Sequence, residues 1–166
     1  TLATIGLDGY PKSRVVLLKK YTYEGFIFYT NYNSEKGKAL LSNPNVCISF
    51  FWHAAERQII IKGKAEKIAE NLSDGYFESR PRGSQLSAVV SNQSEEVKDR
   101  NELEVKLKAL EKKFEGKEIE RPDHWGGIMV KPVEMEFWQG RANRLHDRIQ
   151  YKLDDEFNWN IVRLAP

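Results

Sequence analysis

The chain has 166 residues, 40% of them hydrophobic and 30% charged, enough to bury one core and far from the composition of a disordered segment. Its 26 basic and 24 acidic side chains leave a net charge of +2, too even a mixture for a protein that grips a nucleic-acid backbone, so any anion site is local. Cys47 is the only cysteine, and apolar runs such as Val15 to Leu18 fall far short of the ~20 residues that cross a bilayer; disulfides, zinc sites built on sulfur and membrane-spanning helices are excluded, and a reducing, cytoplasmic setting is expected.

Leu2 to Ile5 reads as a strand directly after Thr1, so a preceding segment is expected to be missing. The turn Asp8-Gly9-Tyr10-Pro11 leads to a β-type run from Arg14 to Tyr21 and another from Phe26 to Asn31, short strands at hairpin spacing. Ser34 is placed to cap a helix through Leu41, which Asn43-Pro44-Asn45 ends. Val46 to Trp52 and Arg57 to Ile68 are again branched and aromatic. Beyond them Leu72, Tyr76 and Phe77 share a helical face, Pro81 interrupts it, and Gln85 to Val90 predicts a second short helix. Leu103, Leu107, Leu110 and Phe114 follow i, i+4, i+7, i+11, the stripe of an amphipathic helix stopped by Gly116. Strand composition returns at Ile128 to Lys131, Glu134 to Gln139, Arg148 to Leu153 and Trp159 to Leu164, with a turn at Asp154-Asp155-Glu156. No repeat or linker divides residues 1–166, which read as one domain. Many short strands without regular strand–helix alternation predict a mainly β fold, an antiparallel barrel with peripheral helices.

Two stretches concentrate polar chemistry. In FWQGRANRLHDR, Phe137 to Arg148, an extended backbone would put Arg144, His146 and Arg148 on one side, where two guanidinium groups and an imidazole could meet one anionic ligand. The same composition suits an exposed basic loop paired with Asp147. In YFESRPRGSQ, Tyr76, Arg80 and Ser84 stand at helical spacing of four, a phenol, a guanidinium and a hydroxyl suited to a phosphate monoester, or simply a helix end with a solvated arginine. Arg14 and Lys19 fall on opposite faces of a regular strand and so call for a bulge or for two ligands. There is no GxGxxG, no P-loop, no Ser-His-Asp arrangement, and His53, His124 and His146 lack metal-ligand spacing; redox work would need an organic cofactor.

Taken in order, RVVLLK (Arg14 to Lys19), FYTN (Phe28 to Asn31), ERQ (Glu56 to Gln58), YFESRPRGSQ (Tyr76 to Gln85), SNQS (Ser91 to Ser94), EFWQG (Glu136 to Gly140), RLHDR (Arg144 to Arg148) and the final RLAP resemble the pyridoxamine 5′-phosphate oxidase family nearly end to end. The resemblance implies a split β-barrel that forms a homodimer with FMN at the subunit interface. It assigns FMN contacts to Arg14, Val15, Val16, Leu17, Leu18 and Lys19, to Tyr29, Thr30 and Lys36, and to Gln58, Gln93, Ser94, Trp138 and Arg148. Lys19, Tyr76, Arg80 and Ser84 would hold the phosphate of a small phosphorylated pyridine, while Arg144, Leu145 and His146 would cover its ring, with Arg144 and His146 in the catalytic roles.

The activity implied is oxidation of pyridoxamine or pyridoxine 5′-phosphate by dioxygen to pyridoxal 5′-phosphate and hydrogen peroxide. Alternatives are a related flavin reductase and a non-catalytic carrier of FMN or pyridoxal phosphate. Neither a nucleic acid nor a membrane is a partner on this reading. The family's N-terminal segment that closes over substrate is expected to be absent. Glu35 stands before Lys36 where the family usually carries arginine, and an anion beside a cofactor phosphate should weaken binding unless it points away.

Overall fold

Branched and aromatic residues in short alternating runs favour a pleated, half-buried surface. The computed structural model, which describes Thr1–Pro166, joins these runs into one antiparallel sheet of nine strands. The strands are β1 (Leu2–Ile5), β2 (Pro11–Arg14), β3 (Lys20–Tyr21), β4 (Phe26–Asn31), β5 (Asn45–Trp52), β6 (Arg57–Lys67), β7 (Trp125–Gln139), β8 (Asp147–Leu153) and β9 (Trp159–Arg163). The helices are α1 (Glu35–Ser42), α2 (Glu70–Glu78), α3 (Arg82–Val90) and α4 (Arg100–Lys113). No helix is long and apolar enough to cross a membrane.

The path runs β2-β1-β5-β6-β7-β4-β3, with β8 on β7 and β9 on β8. One edge of β7 follows β6; the other pairs with β4 through Trp125 to Val130 and with β8 through Glu134 to Gln139. The sheet forks between these two partners. Its end strands β2 and β3 do not pair, so the mainly β, antiparallel barrel is split rather than closed, as the resemblance implies. Ser34 caps α1 as expected, its Oγ accepting from Gly37 N–H at 3.2 Å and donating to the Asn31 carbonyl at 2.6 Å.

Three expectations need correction. Ile128 to Lys131 and Glu134 to Gln139 are one strand, because Pro132 sits at a bulge: Gly63 opposes Pro132, Lys62 opposes Glu134, and Val133 is the extra residue. Arg14 to Tyr21 is not one strand. Residues 15–19 cross from β2 to β3, the two ends of the sheet, and the only backbone hydrogen bond they make is Lys19 N–H to Ile27 O at 2.9 Å. Leu72 does not share the buried face of α2; it points to solvent, and Ser73 and Phe77 face inward.

The main core fills the sheet's inner face with Leu2, Phe28, Ile48, Ile61, Ile128 and Val130. A second cluster lies under the helices, where Phe77, Leu86, Ile119 and Trp125 are buried and Leu107 and Leu110 of α4, with Phe114 just after it, pack from outside. This second cluster sets α2 against β7. Contact is close because Gly126 and Gly127 lack side chains: Ser73 Oγ accepts from Gly127 N–H at 3.1 Å, and Tyr32 OH donates to Gly127 O at 3.2 Å. A Cβ at Gly126 would overlap the Tyr32 hydroxyl and touch Ser73 Oγ. Gly126→Ala should therefore cost about 1–3 kcal/mol as overpacking does, read as a lowered midpoint in urea unfolding relative to the parent protein.

Candidate functional site

A cleft of about 550 Å³ opens between the crossing segment 15–19, the ends of β4 and β7, and α2–α3. Lys19, Lys36 and Arg80 line it with the hydroxyls of Tyr29, Thr30, Tyr76 and Ser84, and no aspartate or glutamate is among its lining residues. Cations without acids make a field that selects an anion. The two larger clefts differ. One, of about 920 Å³, carries Asp74, Glu78, Glu118, Glu120 and Asp123, and its Arg82 and Arg121 are consumed by Phe114 O, Lys117 O, Asp74 and Trp125 O. The other, of about 970 Å³, is mostly apolar around Trp52, Phe137 and Trp138.

Each cation in the acid-free cleft is held by neutral groups. Lys36 Nζ donates to Thr30 Oγ1 at 3.0 Å, Ser34 Oγ at 3.3 Å and Gln93 Oε1 at 2.7 Å. Burial, and then the nearby Arg14 charge, push its ammonium below the ordinary lysine value. Arg80 follows α2 in the turn before Pro81, so Tyr76, Arg80 and Ser84 are not on one helix as their spacing suggested; the break still leaves all three facing the cleft. Lys19 Nζ lies 6.0 Å from the Tyr76 ring, which stacks on Tyr29 at 3.8 Å.

Of the crossing segment, Val15, Val16, Leu17 and Lys19 line the cleft, and Leu18 does not. Residues 15–18 make no backbone hydrogen bond within the protein, leaving a row of donors and acceptors beside the cations. Arg14 turns the other way, donating to Thr4 Oγ1 at 2.6 Å and Lys12 O at 2.8 Å. Gln93 reaches the cleft; Ser94, at φ +78°, lies outside its lining. Glu35 points away and pairs with Lys12 at 2.6 Å, while its charge still partly offsets the lowering of Lys36.

The second set gathers at the far end of β7. The extended backbone expected for residues 144–148 is not found: a 3₁₀ turn spans Ala142–Arg144, with φ of +56° at Asn143 and +61° at Arg144, and β8 begins only at Asp147. Arg144, His146 and Arg148 consequently do not share a strand face. Arg144 is exposed and, like Leu145, faces solvent. His146 Nδ1 accepts from Arg141 N–H at 3.1 Å, which leaves the proton of a neutral ring on Nε2, and the ring lies 4.8 Å from Trp138. Arg148 forks onto Glu136 at 2.8 and 3.0 Å. Asp147 pairs with Arg141 and Arg163, and these hydrogen bonds hold its carboxyl below the usual range. Gln58 stands opposite Trp138 in the β6–β7 register, both lining the apolar cleft. Within one protomer, the cleft with Arg80 and the one that His146 and Leu145 line share no residue.

Sequence reasoning missed Trp125, Asn31, Ser87 and Ser91 in the cationic cleft. FYTN contained Asn31, whose amide donates to Ser91 O at 3.2 Å; a tryptophan ahead of Gly-Gly reads as core and carried no separate signal.

Comparison with known proteins gives a consistent picture. The family model described as pyridoxamine 5′-phosphate oxidase matches residues 1–114, and the one described as the pyridoxine 5′-phosphate oxidase C-terminal dimerisation region matches residues 125–166. The chain is 70% identical over 166 residues to a pyridoxine/pyridoxamine 5′-phosphate oxidase of Flavobacterium psychrophilum, covering 100% of this chain and 78% of that protein. A Flavobacterium johnsoniae protein of the same name is 65% identical, over 99% and 77%. Among solved structures, PhzG from Burkholderia lata, in complex with tetrahydrophenazine-1-carboxylic acid, superposes with a TM-score of 0.92 at 32% identity, covering 99% of this chain and 80% of that one. An FMN-binding, pyridoxamine 5′-phosphate oxidase-related protein from Nostoc punctiforme has the same fold, with a TM-score of 0.77 at 16% identity over 99% of this chain and 86% of that one.

The depressed Lys36 ammonium has a measurable consequence. Without a bound anion that charge is lost before the ordinary lysine value of about 10.4 is reached, so affinity for a phosphate begins to fall there as pH climbs. Affinity of the cleft for inorganic phosphate, followed by calorimetric titration, should fall across the alkaline range, and Lys36→Arg, whose charge persists, should remove that fall.

Proposed function

This chain belongs to the pyridoxamine 5′-phosphate oxidase family and is an oxidase of that type, and from this premise we propose that it oxidises pyridoxamine 5′-phosphate, pyridoxine 5′-phosphate or both with dioxygen, yielding pyridoxal 5′-phosphate and hydrogen peroxide. The observation that carries the reading is the acid-free cleft with Lys19, Lys36 and Arg80 beside an aromatic wall, an arrangement fitted to phosphate esters of a flat heterocycle. A cytoplasmic setting suits a chain with Cys47 as its one thiol.

The residues present fit FMN as cofactor. Lys36 keeps a half-buried ammonium on neutral oxygens only, and residues 15–18 offer unbonded backbone groups to the edge of a planar ring. Lys36, Thr30 and Gln93 would hold its phosphate end, with Arg14 supporting from behind and Tyr29 and Ser94 at the margins. When bound, FMN supplies the hydride acceptor and passes the electrons to dioxygen. Lys19, Tyr76, Arg80 and Ser84 bind the substrate phosphate and so fix the distance of its C4′ carbon from the cofactor. The amine substrate loses a hydride and a proton and then exchanges nitrogen for water as ammonia; the alcohol loses only hydride and proton.

Arg144 and His146 cover the pyridine ring and stabilise the charge that develops there, with Leu145 closing the apolar side. His146, with Nδ1 accepting from Arg141, offers Nε2–H to an electron-rich ring atom. These groups come from a second copy of the chain. Trp125 and Gln139 are the first and last of the fifteen residues of β7, about 46 Å of strand at about 3.3 Å per residue, so one protomer cannot close the pocket with both ends. A homodimer with Gln58, Trp138 and Arg148 near the shared flavin is supported by the dimerisation-region match over residues 125–166. Glu35 is turned from the cleft toward Lys12, which lessens its repulsion of an FMN phosphate.

Purified flavin-loaded protein given either phosphorylated substrate in air should form aldehyde and peroxide in equal amounts, followed by aldehyde absorbance and a coupled peroxidase. Binding without turnover would instead identify a carrier, and flavin reduction only by a nicotinamide would identify a reductase.

A further inference from the structure

Arg80 reaches the cleft without help from a carboxylate. Its guanidinium carbon lies 4.6 Å from the Trp125 ring and 5.7 Å from that of Phe77, and Nη1 is buried with no hydrogen-bond partner. An arginine in water hydrates its N–H groups, and one at an ordinary buried site takes a carbonyl or carboxylate. Here the guanidinium carbon lies over aromatic rings, and no N–H of the group donates to a protein acceptor.

The supporting ring is itself fixed. Trp125 is 7% exposed, its backbone N–H donates to Pro122 O at 2.9 Å, and its carbonyl accepts from Arg121 at 2.7 Å. The indole lies nearly parallel to Tyr29 at 5.5 Å and meets the Phe77 ring edge-on at 5.3 Å. Tyr29 carries Tyr76 at 3.8 Å, and Lys19 stands 6.0 Å over that ring. One continuous aromatic stack thus lies beneath two of the three cations of the cleft.

We propose that Trp125 is a positioning residue for the phosphate end of the substrate: its indole face holds the Arg80 guanidinium in place of a carboxylate, turning free N–H groups toward an incoming dianion. A carboxylate in that position would orient the fork equally well but would occupy the same N–H groups and add a negative charge that phosphate must overcome. An aromatic face supports a cation from the side that phosphate does not use. The planar, delocalised guanidinium suits such support better than an ammonium does.

The inference rests on the reading of Arg80 as a substrate-phosphate ligand, and the test separates the two. Four variants, Trp125→Phe, Trp125→Leu, Arg80→Ala and the double Trp125→Leu/Arg80→Ala, are prepared as flavin-loaded protein. For each, kcat and KM for pyridoxamine 5′-phosphate, flavin content, and the inhibition constant of inorganic phosphate are measured. Trp125→Leu should raise both KM and the phosphate inhibition constant by about threefold to thirtyfold, the range of a cation–π contact, with the loss falling on KM rather than kcat. Trp125→Phe should show a smaller rise. With Arg80→Ala already present, Trp125→Leu should add no further loss of phosphate affinity. Additive losses would overturn the proposal, since they mean that Trp125 acts independently of Arg80. Unchanged phosphate affinity in both tryptophan variants, beside a large loss in Arg80→Ala, would overturn it while leaving the cleft assignment intact. An Arg80→Ala variant with unaltered KM and inhibition constant would overturn the assignment and the proposal together. Should Trp125→Leu fail to fold with flavin, the same cycle built on Trp125→Phe decides.

Discussion

Hydrogen bonding along both edges of β7 constrains the whole molecule. The strand runs unbroken from Trp125 to Gln139 because Pro132, which has no N–H to give, falls at a bulge where none is required. One edge is filled by β6 from Ile128 to Gln139, while the other is given first to β4 and then to β8. From this fork follow the open barrel, the helices packed against the Trp125 end, and the arginine–histidine turn carried at the Gln139 end. Two sets of ligand-type residues are thereby held apart within a protomer, and the proposed pocket draws on a second copy of the chain for one of them.

Electrostatics at the Trp125 end are governed by what is left out. Lys19, Lys36 and Arg80 are held by hydroxyls, an amide and aromatic faces, and acids lie elsewhere. Glu35 pairs with Lys12, Glu136 with Arg148, and Asp147 with Arg141 and Arg163. Apart from the partly buried Arg148–Glu136 fork, these pairs are exposed and contribute little to stability, on the order of 0–1 kcal/mol each. Their effect is to keep negative charge away from the cleft. Burial lowers the Lys36 pKa and that of Arg80, a cost borne by the folded protein and relieved when an anion arrives.

The sequence made local devices plain and left long-range ones hidden. Ser34 as a cap, Phe26 to Asn31 as a strand and the α4 stripe depend on neighbours within a few residues, and all three appear as read. Arg14 to Tyr21 has strand composition throughout, yet it spans the gap between the two ends of the sheet, a fact of topology that propensity does not record. Leu72 against Ser73 is a choice of helix face settled by the close packing of Ser73 on Gly127. The turn at Asn143 and Arg144 was hidden because arginine gives no sign of a left-handed backbone. At the site, the tyrosine, arginine and serine cluster and the arginine–histidine turn were both singled out from residues, and family resemblance joined them. Trp125 was overlooked because its burial and its support of Arg80 look alike until the ring geometry is known.

The claim at the centre of this account is that the Arg80 cleft of one subunit and the Arg144 turn of the other form a single pocket. Subunit complementation tests it most directly: Arg80→Ala and Arg144→Ala proteins, each with little activity alone, are mixed under conditions of subunit exchange. In a twofold dimer half the mixed molecules are heterodimers with one intact site each, so about a quarter of parental activity should return. A mixture no more active than its separate components would contradict the claim.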